Sequence, residues 1–108
     1  MTANEFRKIA LAFSGAIESA HMDHPDFRVA GKIFATLGYP DDEWGMVKLT
    51  SEQQRTFVER GAGAFRPCNG AWGLRGATNV HLASVKKTLL KSALRAAIGN
   101  VVSNAKRK

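Results

Sequence analysis

"DFRVAGKIFATLG" (Asp26–Gly38) decides how the chain is built. Phe27 and Val29 alternate with Arg28, and Ala30-Gly31 make a short turn. Ile33, Ala35 and Leu37 then alternate with Phe34 and Thr36. A period of two on both sides of a tight turn predicts a β-hairpin. Beyond the loop "YPDDE", the stretch "WGMVKL" (Trp44–Leu49) predicts a third strand, with Val47 and Leu49 on one face and Trp44, Met46 and Lys48 on the other.

Upstream, Phe6, Ile9, Ala10, Phe13 and Ile17 fall on one helical stripe, which predicts a helix from about Asn4 to Glu18. "HMDHPD" (His21–Asp26) breaks that pattern. Downstream, Thr50 and Gln53 stand at capping-box spacing before a short helix that closes at Gly61. "AFRP" reads as a brief extended piece, "GAWGLRGAT" (Gly70–Thr78) as a glycine-rich loop, and "TNVHLA" as a further strand. Ser84 reads as the cap of a long last helix with Leu89, Leu90, Ala93, Leu94, Ala97, Ile98, Val101 and Val102 along one side. The order α-β-β-β-α-β-β-α predicts an α+β domain of two layers. A mainly antiparallel sheet of four to five strands has three helices on one face. The domain spans residues 1–108, with 103–108 read as a mobile basic tail.

Composition bounds the function. The 108 residues are 44% hydrophobic and 23% charged, which suits one globular core. No run of about 18 apolar residues is present, the start meets Glu5 early, and Cys68 is the single cysteine, so a cytoplasmic location is expected. All nine acids lie between Glu5 and Glu59, against six Lys or Arg in the same stretch. After Glu59 come ten Lys or Arg and no acid. So lopsided a charge favours a polyanionic partner.

"HPDFRVAGKIFATLG", "WGMVKLT" and "FRPCNGAWGLRGATNVHL", in that order, resemble the MmcQ/YjbR-like family over nearly the whole chain. The resemblance implies a small α+β fold like that of CyaY or the secretion chaperones. It also implies a double-wing arrangement that binds DNA. It brings no catalytic residues with it.

Alternation assigns Arg28, Phe34, Thr36, Trp44, Met46, Lys48, Asn79 and His81 to the sheet face away from the helices. Aromatics interleaved with cations suit nucleic acid, DNA or RNA, with stacking by Phe34 or Trp44 and phosphate contact by the cations. Lys32 at the hairpin turn, Lys48, Arg66, Arg75 in the glycine-rich loop, and Arg28 are the candidate phosphate contacts. Trp72 reads as an anchor held in the protein. The expected mode is salt-dependent binding of low sequence specificity. The alternative is a protein-interaction or chaperone-like domain in which Phe34, Trp44 and Met46 form an apolar patch, as in a homodimer. His21, Asp23, His24 and Asp26 match no established metal spacing, and no enzyme motif appears, so neither a cofactor nor catalysis is expected.

Overall fold

The computed structural model describes residues 1–21 and 24–106. Its elements run α1 (Ala3–Leu11), β1 (Ile17–His21), β2 (His24–Val29), β3 (Lys32–Leu37) and β4 (Trp44–Lys48). There follow α2 (Ser51–Arg60), β5 (Phe65–Pro67), α3 (Gly70–Leu74), β6 (Ala77–His81) and α4 (Lys87–Lys106). The strands form one antiparallel sheet in the order β1-β2-β3-β4-β6-β5. The α+β class and the antiparallel sheet are as expected, with six strands in place of four to five and four helices in place of three.

The two added elements have clear causes. The first helix stops at Leu11, where the Ala12 N–H closes it on Lys8 and Ile9, and Gly15 at φ +80 turns the chain. Ile17 therefore leaves the helical stripe and opens an edge strand, 58% exposed. That strand pairs His21 with His24 across Met22 and Asp23, which lie outside the described residues. The second addition is α3, a single turn inside the stretch expected to be a loop.

The hairpin turns at Ala30-Gly31, where both residues take positive φ (55 and 76). That is the primed turn whose twist matches paired strands. The register then shifts by one residue at Phe27/Arg28: Phe27 faces Ala35, Arg28 faces Ile33, and Phe34 between them has no partner. A bulge of this kind breaks strict alternation. Phe34 swings to the helix side, is fully buried and meets Phe27 at 6.5 Å between ring centroids. Phe27 in turn meets Phe6 of α1 at 6.0 Å.

Helix α4 lies across β2, β3 and β4, with Leu90, Ala93, Leu94 and Ala97 fully buried. It begins at Lys87, later than expected, because Ser84 sits in a turn and bonds the His81 Nδ1 at 2.7 Å. It continues through the stretch read as a tail to Lys106; residues 107 and 108 lie outside the described residues. Helix α2 has its full capping box: the Thr50 hydroxyl accepts from the Gln53 N–H while the Gln53 side-chain Oε1 accepts from the Thr50 N–H. Among the described residues, no helix is long and apolar enough to cross a membrane.

Candidate nucleic-acid interface

The stretch "GAWGLRG" is built by backbone packing. A Cβ on Gly73 would lie 1.7 Å from the Cys68 carbonyl oxygen, and one on Gly76 would lie 2.1 Å from that of Leu49. Only glycine permits either approach, and Gly76 also takes φ +115. With Gly73 on the inner side of the α3 turn, its neighbours point out. Trp72 is 60% exposed and Leu74 is 82% exposed. From below, the buried Gln54 amide of α2 donates to the carbonyls of Gly73 (2.9 Å) and Ala77 (3.0 Å).

Trp72 is thus presented to solvent and does not anchor the core. The Lys48 Nζ lies 5.5 Å from its ring centroid, a cation–π contact. Lys48, Trp72 and Arg75 line a small cavity of about 250 Å³. Through Lys48, Leu49 and Arg75 it continues into an open cleft of about 660 Å³. That cleft lies at the end of the sheet, where the β2–β3 turn, the end of β4, the start of α2 and the last part of α4 converge.

Four of the seven candidate residues meet in that cleft: Arg28, Lys32, Lys48 and Arg75. Their settings differ. Arg28 holds the buried Asp26 carboxylate through two bonds, of 2.8 and 3.1 Å, which raises its pKa and commits its charge. Asp26 is 1% exposed and partnered; it was not foreseen beside this site. Among the described residues, Lys32, Lys48 and Arg75 form no ion pair. The far wall is held by Asn100 of α4, whose amide donates to the Lys48 carbonyl (3.2 Å) and to Gln53 Oε1 (2.7 Å).

The other three candidates lie elsewhere. Phe34 is in the core and offers no ring to solvent. Trp44 does face away from the helices, but it is half-buried, with the Arg66 guanidinium 5.1 Å from its ring and the His81 ring at 4.8 Å. Arg66 and Trp44 therefore engage each other, apart from the cleft. Met46 is buried as well, at 9% exposure. The apolar patch expected from Phe34, Trp44 and Met46 is not formed.

The cleft is lined by cations and hydrogen-bonding groups, the latter being the hydroxyls of Thr50 and Ser51 and the amide of Asn100. Cys68 does not line the cleft; burial pushes its thiol up to about 11, and its sulfur donates to Asn79 Oδ1 at 3.1 Å. A thiol so held is a poor nucleophile at neutral pH. Among the described residues, no three His, Cys, Asp or Glu side chains cluster to hold a metal. The exposed Trp72 escaped sequence reasoning, because nothing in the spacing of the glycines tells which of them packs on backbone. Of the two glycines that flank it, Gly73 packs on the Cys68 backbone while Gly70 is exposed and meets nothing, so the outward turn of residue 72 comes from the contact at Gly73 alone.

The YjbR family model matches residues 11–97. A crystal structure of the Deinococcus radiodurans protein DR2400, a DUF419 domain, superposes with a TM-score of 0.80 at 17% identity. The match covers 99% of this chain and 83% of that one. No curated protein matches the sequence.

Proposed function

The chain belongs to the YjbR family, and we propose that it binds nucleic acid with low sequence specificity through the cleft at the sheet end. One observation carries this reading: Lys32 from the β2–β3 turn, Lys48 from the sheet and Arg75 from the glycine-rich stretch converge on one open cleft, and among the described residues none of the three is ion-paired. Side chains placed so bind the phosphate backbone and read little sequence. Arg28 takes a lesser part, because Asp26 already holds it.

The test is fluorescence anisotropy of labelled oligonucleotides across a salt series. Three engaged cations give a slope of log affinity against log salt of about −2 on a single strand. Arg75→Glu or Lys32→Glu should abolish binding, whereas Lys91→Glu, on the exposed side of α4, should leave it nearly intact. Absence of binding at low salt, or equal loss in all three variants, would remove the cleft as the binding surface.

A further inference from the structure

We propose that the site takes an unpaired strand, with one base stacked on Trp72 and the flanking phosphates in the cleft. This rests on the nucleic-acid reading above and adds the strandedness of the ligand. Trp72 leaves 60% of its surface to solvent although only a short stretch of chain holds it. A ring so exposed offers an open aromatic face on which a base can stack. Lys48 and Arg75 line both the small cavity beside the ring and the larger cleft, so ring and cations form one continuous surface.

The shape selects the strand. A ring beside a concave cationic cleft suits bases that turn their faces outward, because stacking on an aromatic side chain needs an exposed base face. In a duplex the bases are stacked on one another, and only phosphates reach the cleft. The buried neighbours of Trp72 hold it in place: Gly73 against the Cys68 backbone, and Gln54 on the Gly73 carbonyl. The stacking platform is therefore preorganised.

A 10-nucleotide oligothymidine and a hairpin duplex of equal phosphate count are titrated against the full chain and against Trp72→Phe and Trp72→Leu. Because Trp72 is exposed, both variants should fold, which circular dichroism checks. The single strand should bind more tightly than the hairpin and quench tryptophan emission. Trp72→Leu should lose roughly ten-fold in single-strand affinity while Trp72→Phe retains most of it. Hairpin affinity should not move in either variant. Equal affinity for the two ligands, with Trp72→Leu unchanged, would overturn the stacking proposal and leave the phosphate-binding reading in place. No binding of either ligand at low salt would overturn both.

Discussion

Replacing Gln54 by Met tests how α3 is held. The Gln54 amide donates to two carbonyls, Gly73 at 2.9 Å and Ala77 at 3.0 Å, in surroundings that leave it 8% exposed. Methionine matches its length and adds no cavity, so the change isolates the two hydrogen bonds. A neutral bond contributes about 1 kcal/mol net, whereas a carbonyl orphaned in the interior costs more. Here neither carbonyl is orphaned. Gly73 still accepts from the Gly76 N–H at 3.1 Å, and Ala77 from the Cys68 N–H at 2.9 Å. The expected loss is therefore about 2 kcal/mol, or roughly 10 °C in Tm for a domain of this size. Urea unfolding followed by circular dichroism measures it, with an unchanged m-value as the condition. A loss under about 0.5 kcal/mol would show that α3 does not depend on these bonds. A loss above about 4 kcal/mol would refute the claim that the backbone donors suffice.

Three further outcomes follow from the geometry. Gly73→Ala should destabilise by more than about 3 kcal/mol, since its Cβ would meet the Cys68 carbonyl at 1.7 Å, and chemical denaturation would reveal a smaller clash as a smaller loss. Ala30→Asn should stabilise by about 0.5–1 kcal/mol, because Ala30 holds φ 55 at a turn position that favours asparagine; a drop in Tm would contradict the turn assignment. Cys68 should react slowly with a thiol reagent at pH 8 and quicken towards about pH 11, where its thiol ionises in the folded chain. Because that folded pKa is raised, its stabilisation is complete below the unfolded thiol's pKa and is lost as pH climbs through about 11. A rate at pH 8 equal to that of an unfolded peptide would refute the buried setting.

The hairpin at Ala30-Gly31, the third strand and the capped second helix were legible because each rests on local spacing: period two, a turn pair, a capping box. What escaped rests on the path of the backbone. Ile17 stands four residues after Phe13, as in a helix, and only the positive φ of Gly15 shows that it belongs to a strand. Phe34 obeys alternation in the sequence, yet the bulge at Phe27/Arg28 carries it inward. Strict alternation therefore placed a core ring on the solvent face. Ser84 has a capping residue's chemistry, but its hydroxyl is engaged with the His81 Nδ1. The cations fared better than the aromatics. Lys32, Lys48 and Arg75 were legible because charge stays at the surface whatever the register. The choice between Trp44 and Trp72 depended on Arg66 and on the backbone contact under Gly73, neither of which spacing encodes.

The two rims of the sheet are unequal. One ends in β5, three residues long and closed by Pro67, which has no N–H to offer a further strand. The other ends in β1, five residues long and 58% exposed at Ile17. Strand addition between molecules is therefore favoured at the β1 rim. Two copies joined rim to rim along β1 would present a blunt β5 at each outer end. The asymmetry leaves β1 as the longer edge and β5 as the blunt one.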